Sequence, residues 1–283
     1  MEIRLAKHAG HCFGVKAAIQ TAFKTARREK QPIYTLGPII HNPQVVDKLR
    51  SEGVAPVNNL SEIGKGVIII RSHGVAPQVL TEARERGLKV VDATCPFVKR
   101  AQNQAQELVK QGYALVILGD MSHPEVEGIL GTVNGEAAVV SDGRSAAQLP
   151  MKSRYGLIAQ TTQSLENLQE VACSLLTRAV ELKVINTICN ATTQLQQETR
   201  ELAGEVDVML VVGGRNSANT SRLASICQET GVRHYHIETA SEIQPGWFEG
   251  VSRVGVTAGT STPEWVIADV MERLHQVEGS GGS

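Results

Sequence analysis

The chain is poor in aromatic residues, at 4%, and carries no excess charge of either sign: 28 lysines and arginines face 29 aspartates and glutamates. Few aromatics leave no stacking platform for bases, and a formal net charge of −1 gives no general attraction to nucleic acid or to an anionic membrane. Partners of both kinds are therefore disfavoured. No apolar run is long enough to span a bilayer, and the first residues lack the charged and apolar layout of a signal peptide. No Cys-x-x-Cys pair occurs, which disfavours a zinc finger. No Gly-x-x-x-x-Gly-Lys loop or dinucleotide fingerprint occurs either, so nucleotide use is not indicated. Five cysteines is an odd count that suits free thiols or metal thiolates in a reducing compartment better than disulfides. The expected location is cytoplasmic.

With 42% apolar and 20% charged residues, the 283-residue chain is an ordinary globular sequence, long enough for two or three small domains. Three of its cysteines, Cys12, Cys95 and Cys189, open the same kind of unit: a helix-like stretch, then an apolar strand-like run ending in glycine. Gly37, Gly119 and Gly213 follow their cysteines by 25, 24 and 24 residues. His41, His123 and Ser217 follow by 29, 28 and 28. The runs Ile33 to Leu36, Ala114 to Leu118 and Val206 to Val212 are the expected strands. If the repeats pack about a pseudo-threefold axis, the three thiols occupy equivalent positions and can converge on one metal centre.

Each unit has a second half built alike. Val67 to Ile70 leads into Ser72-His73-Gly74 and a helix around Gln78 to Arg86. Gly156 to Ala159 leads into Gln160-Thr161-Thr162 and a helix around Leu165 to Ala179. Val254 to Thr257 leads into Gly259-Thr260-Ser261-Thr262 and a helix around Glu264 to His275. This alternation predicts an α/β fold: three similar small domains with mainly parallel sheets flanked by helices, ligand loops lying at the carboxyl ends of strands. Val90-Val91 and Val184-Ile185 run directly toward Cys95 and Cys189, so those cysteines are expected just beyond strand ends, with domain boundaries near them. The expected domains are 1–95, 96–188 and 189–278; residues 279–283, Gly-Ser-Gly-Gly-Ser, read as a flexible appended tail.

Cys173 and Cys227 sit inside helical apolar patterns and read as small packing side chains. The repeat-matched trio occupies loops, where filling a core is a poor explanation. Three thiolates leave one iron of a four-iron cluster without a protein ligand, and such an iron is a Lewis acid that also passes electrons. His41, His73, His123, Thr161, Ser217, Asn219 and Ser261 are each ordinary turn residues taken singly. As a set, beside helix N-termini, they are donors suited to the oxygens of a diphosphate. Glu125 follows His123 across Pro124; a lone glutamate is usually an exposed loop residue, but beside such a site it is a candidate proton donor. His8, His11, His234, His236 and His275 lack repeat counterparts and read as structural or surface residues.

The motifs His11-Cys12-Phe13-Gly14-Val15, Gly37-Pro38-Ile39-Ile40-His41-Asn42, Arg71-Ser72-His73-Gly74-Val75, Asp92-Ala93-Thr94-Cys95-Pro96 and His123-Pro124-Glu125 occur in order. Gln160-Thr161-Thr162, Thr187-Ile188-Cys189, Asn216-Ser217-Ala218-Asn219 and Thr257-Ala258-Gly259-Thr260-Ser261 complete the series. On these residues the chain resembles the 4-hydroxy-3-methylbut-2-enyl diphosphate reductases, the last enzymes of the methylerythritol phosphate route to isoprenoids, over nearly all its length. The resemblance implies a trefoil of three α/β domains around a central 4Fe-4S cluster with one open iron, held by Cys12, Cys95 and Cys189. It implies that His41, His73, His123, Thr161, Ser217, Asn219 and Ser261 bind the allylic diphosphate, while Glu125, His123 and Thr161 are catalytic, Glu125 and Thr161 managing protons near the substrate hydroxyl. Electrons come, on the same resemblance, from an external ferredoxin or flavodoxin. Ala218 departs from the family, which often has serine there, at a cost of at most one phosphate contact.

Two readings of other classes stand beside this one. A non-redox phosphate-ligand or transferase protein, its cysteines merely packing at domain junctions, is colourless when purified without oxygen. An iron–sulfur sensor or electron carrier is coloured but does not turn over an allylic diphosphate, and no basic DNA-binding patch supports it. Cys95→Ser is expected to lose or degrade the cluster, whereas Cys173→Ser leaves iron binding nearly unchanged. Iron and sulfide analysis of protein purified anaerobically checks both, and an intact cluster in the Cys95 variant contradicts the ligand assignment.

Overall fold

Strands that are apolar at every position must be covered on both faces, and the three sheets of the computed structural model are built around such strands. Residues 1–280 are described. The first sheet contains β2 (Ile33–Leu36), β3 (Val54–Val57), β4 (Val67–Ile70) and β5 (Lys89–Asp92), in the spatial order β3-β2-β4-β5. The second contains β6 (Ala114–Leu118), β7 (Ala137–Val140), β8 (Lys152–Ala159) and β9 (Ala179–Val184), ordered β7-β6-β8-β9. The third contains β10 (Val208–Val212), β11 (Arg233–Ile237), β12 (Arg253–Ala258) and β1 (Glu2–Leu5), ordered β11-β10-β12-β1. Every pairing is parallel. The expected α/β class, three parallel sheets flanked by helices, is the one observed.

Crossover helices supply the covering layers that parallel pairing requires. Those that matter for the site are α1 (Phe13–Arg28), α2 (Pro43–Ser51), α3 (Pro77–Glu85), α4 (Pro96–Lys110) and α5 (Pro124–Thr132), then α6 (Gly143–Ala147), α7 (Leu165–Leu176), α8 (Asn190–Ala203), α9 (Ala218–Thr230) and α10 (Glu264–Ser280). In α4 the buried residues Val98, Ala101, Ala105 and Leu108 recur at helical spacing, and the last three pack with Leu115, Ile117 and Ile158 of the second sheet. On the other face of that sheet, Leu168, Val171 and Leu175 of α7 pack with Val116, Leu118 and Leu157. Val208, Leu210, Val212, Val254 and Val256 form the equivalent core of the third sheet, under Val270 and Leu274 of α10. Burying each such side chain contributes roughly 1.5–3 kcal/mol. Among the described residues no helix is long and apolar enough to cross a membrane.

The chain divides into two compact units. One comprises Met1–Val15, His41–Val45 and the chain from Asn190 onward, and it holds the third sheet; the other comprises Lys16–Ile40 and Val46–Cys189 and holds the first two. The segment 1–95 is thus shared out. Its first strand, β1, pairs with β12, Ile3 opposite Val254 and Leu5 opposite Val256, and so forms an edge of the third sheet. At the other end, α10 runs through Gly279 to Ser280, so the expected tail begins as helix; residues 281–283 lie outside the described residues.

Two of the boundaries that differ from the sequence reading have a local cause. The strand expected from Val206 starts at Val208, since Asp207 turns its carboxylate to the backbone N–H groups of Ser252 and Arg253. The helix expected to reach Ala179 stops at Leu176, where the Thr177 hydroxyl bonds the Ser174 carbonyl, and Ala179 opens β9. Leu210→Ala removes a fully buried side chain from the third sheet and is expected to lower unfolding free energy by about 2–5 kcal/mol. Urea unfolding checks it; a change below about 0.5 kcal/mol contradicts the burial.

Candidate active site

The last strand of each sheet in the repeat order is followed by a cysteine, and each cysteine is held in the same way. Parallel pairing of β5 with β4 carries Cys95 to the loop after β4, where its N–H donates to the Ser72 carbonyl at 3.0 Å. Beyond β9, the Cys189 N–H donates to the Thr161 carbonyl at 3.0 Å in the loop after β8, and beyond β1 the Cys12 N–H reaches the Thr260 carbonyl at 3.4 Å in the loop after β12. One contact recurs three times. Cys12 and Cys189 immediately precede α1 and α8, and Cys95 is the N-cap of α4. Cys12 and Cys95 are half-buried and Cys189 is buried. Thiols at helix starts, where the backbone favours negative charge, have the donor chemistry of an iron–sulfur site.

In the unit that holds the first two sheets, Glu125 stands in the first turn of α5 at 2% exposure. The loop after β8 supplies both of its partners: Thr161 N–H donates to Oε1 at 2.7 Å and the Thr161 hydroxyl to Oε2 at 2.7 Å. Burial raises the Glu125 pKa to about 7, prevailing over the two bonds from Thr161 that lower it. The carboxyl therefore exchanges its proton near neutrality, beside a hydroxyl able to relay it. His123 caps α5, its Nδ1 accepting from the Glu125 N–H at 3.1 Å with Pro124 at the first helical position. That bond leaves the proton of the neutral ring on Nε2, as a donor. His73, in the loop after β4, meets the His123 ring edge to face at 5.4 Å between centroids. Gln160 ties the loops together by accepting from the Asp120 N–H at 3.1 Å and donating to Thr162 at 3.0 Å.

The other unit carries Cys12, His41, Ser217, Asn219 and Ser261. Ser217 caps α9 by accepting from the Thr220 N–H at 3.3 Å, and the Ser261 hydroxyl donates to the Ser217 oxygen at 3.3 Å. Asn219, at 3% exposure, has both amide atoms buried without a hydrogen-bond partner among the described residues, and the Thr220 hydroxyl is in the same position. An orphan amide costs about 1–3 kcal/mol unless a ligand completes it, and a helix N-terminus already favours an anion. Gly213 makes room for this corner: at φ +142° a Cβ there would lie 2.5 Å from Thr262 Oγ1 and 2.9 Å from Thr220 Oγ1. The His41 carbonyl lies similarly close to Gly214, 2.8 Å from where its Cβ would stand.

The family described as "LytB protein" matches residues 3–275 of this chain. The chain belongs to the LytB family. A relative from Pelobacter propionicus, a 4-hydroxy-3-methylbut-2-enyl diphosphate reductase, is 53% identical over 277 residues, covering 98% of this chain and 99% of that protein. A solved structure of (E)-4-hydroxy-3-methyl-but-2-enyl diphosphate reductase, named as the terminal enzyme of the non-mevalonate pathway, superposes with a TM-score of 0.71 at 45% identity, covering 98% of this chain and 100% of that one. The E-1-hydroxy-2-methyl-but-2-enyl-4-diphosphate reductase of Plasmodium falciparum gives a TM-score of 0.90 at 26% identity, covering 97% and 87%.

Against this LytB background Cys173, His11 and Thr220 add to or differ from the sequence reading, while Cys227 matches it. Cys173 is exposed, because it lies off the buried stripe Leu168, Val171 and Leu175 of α7. Cys227 is fully buried, and burial pushes its thiol up to about 12, so it packs without reacting. His11, read as structural or surface, sets its Nε2 3.2 Å from the Ser261 carbonyl and so touches a candidate loop; its place beside Cys12 was the available signal. Thr220 carried no signal, since its hydroxyl matters only once α9 and the loop after β10 are folded.

The raised Glu125 pKa has a consequence for stability. Between about 4.5, the ordinary value, and about 7 the folded protein holds a proton that the unfolded chain has lost. Stability therefore falls as pH rises through that window. Glu125→Gln, which cannot ionise, is expected to remove this slope in urea unfolding series; a slope unchanged in the variant contradicts the assignment.

Proposed function

We propose that this chain is a 4-hydroxy-3-methylbut-2-enyl diphosphate reductase, an oxidoreductase that converts (E)-4-hydroxy-3-methylbut-2-enyl diphosphate to isopentenyl and dimethylallyl diphosphate as the terminal step of the methylerythritol phosphate route. The carrying observation is the buried Glu125 carboxyl, bonded through both oxygens to Thr161 and poised near neutrality, in a member of the LytB family. The reaction takes up two electrons and two protons, breaks the allylic carbon–oxygen bond, forms a carbon–hydrogen bond and releases water. The protein works in the cytoplasm and draws its electrons from an external ferredoxin or flavodoxin.

Cys12 in the segment 1–95, Cys95 directly before the segment 96–188, and Cys189 at the start of 189–278 hold a 4Fe-4S cluster in this reading. Their support is chemical: three cysteines, each directly before a helix, at one repeated station of three sheets. When bound, the cluster supplies electrons and an iron without a protein ligand that acts as Lewis acid. The chain's own residues do the rest. His41, His73 and His123 with Ser217, Asn219 and Ser261 bind the diphosphate, His123 through its Nε2 proton and Asn219 through the amide that otherwise has no partner. Glu125 gives a proton to the leaving hydroxyl through Thr161 Oγ1, because hydroxide is a poor leaving group and water a good one.

Glu125→Gln keeps the shape of the carboxyl and removes its transferable proton. Turnover in an anaerobic assay with reduced donor and the hydroxylated diphosphate is expected to fall by roughly 10²–10⁴-fold, with cluster absorption retained. Full turnover by that variant rules out the role, and colourless protein that never takes up iron and sulfide returns the chain to the non-redox reading.

A further inference from the structure

The electrons required by the reductase reading enter from another molecule, and one face of the protein is built unlike the rest. Although acidic and basic residues balance over the whole chain, α1 has four cations, Lys16, Lys24, Arg27 and Arg28, and no acid in 16 residues. Lys16, Gln20, Lys24 and Arg27 recur at intervals of four, four and three, so they form one stripe, and all are exposed. Lys24, Arg27 and Arg28 have no ion-pair partner among the described residues. The next acid along the chain, Glu29, is already bound to Lys89 at 2.7 Å and does not neutralise them.

Between these cations lies an open depression of about 390 Å³ lined by Gln20, Phe23, Lys24, Arg27 and Arg28, with an almost wholly apolar surface. Apolar floor and cationic rim together are what a protein interface needs: a spot to desolvate and a charged edge to steer and orient the partner. The helix itself starts at the residue after Cys12.

We propose that the outer face of α1 is the docking surface for an acidic ferredoxin that reduces the enzyme. The proposal rests on the reductase reading. Charge complementarity selects the partner: four like charges without an acid among them repel a basic protein and attract an acidic one. Each turnover oxidises two ferredoxins by one electron each; those electrons, with two protons, cleave the carbon–oxygen bond and leave as water and a new carbon–hydrogen bond.

The test uses the whole cluster-loaded protein and its K24E/R27E/R28E variant, with a purified acidic bacterial ferredoxin as probe. Calorimetry is expected to show ferredoxin affinity falling at least tenfold in the variant, and falling in the wild type as salt is added. In turnover, KM for ferredoxin rises while the rate with reduced methyl viologen, a small reductant needing no docking face, stays the same. A K110E/K152E variant, carrying charge reversals of the same sign on α4 and β8, keeps wild-type affinity. Unchanged ferredoxin affinity in the α1 variant overturns the proposal, as does equal weakening in the K110E/K152E control. Dependence on α1 seen only with flavodoxin, or only as binding to phosphatidylserine vesicles, also overturns it. If the α1 triple variant folds poorly, Lys24→Gln and Arg27→Gln singly are measured instead, each expected to weaken binding about two- to fivefold. Absence of turnover with both reductants sinks the reductase reading, and the calorimetry then still decides the surface.

Discussion

Parallel pairing of an edge strand with the second central strand of its sheet is the constraint from which the candidate site follows. Because β5, β9 and β1 run alongside β4, β8 and β12 in the same direction, their ends arrive at the same edge as the loops that follow those central strands. The chain leaving each edge strand then bonds a cysteine N–H to a loop carbonyl, at Ser72, Thr161 and Thr260. A single antiparallel substitution in any sheet would send that cysteine to the opposite edge, away from every polar loop. The chemistry is thus inherited from strand direction.

Burial then decides what the polar loops can do. Glu125 alone among the described acids combines near-complete burial with a pKa raised to about 7, and Thr161 saturates both oxygens without a cation. A lysine or arginine in that place would hold the carboxyl ionised and deprive it of a proton to give. Asn219 is the complementary case, a neutral group whose desolvation is uncompensated within the protein and is offset by whatever polar ligand it meets. Helix starts at Cys95, His123 and Ser217 add backbone donors to the same strand ends.

The central strands β4 and β6 were legible because they are buried on both faces and read as continuous apolar runs; they and β2, which keeps Thr35, match their expected limits residue for residue. Among the edge strands, Val90-Val91 and Val184 marked β5 and β9, but β1, β3 and β11 were not legible. β3 contains Pro56, β11 reads Arg-His-Tyr-His-Ile, and β1 alternates Glu-Ile-Arg-Leu, so each is half exposed and carries a weak signal. The pairing of β1 with β12 joins opposite ends of the chain, and no local pattern encodes it. Site residues were legible as types at repeated spacings, Cys95 and Cys189 beyond strand ends among them. The burial of Glu125 and its double bond to Thr161 were not, since both depend on how α5 meets the loop after β8.

The route of β1 also orders the protein's own assembly. Its strand is made before the other described strands, yet the partner that completes its ladder, β12, is made after all of them. The sheets between Ile33 and Val184 close from consecutive residues and are free to form during synthesis, whereas Cys12 remains on an unpaired segment until β12 has been made. Maturation therefore has a built-in last step: the earliest cysteine is the latest to reach its station, and a nascent chain halted before β12 has two of the three thiols in place and no means of setting the third.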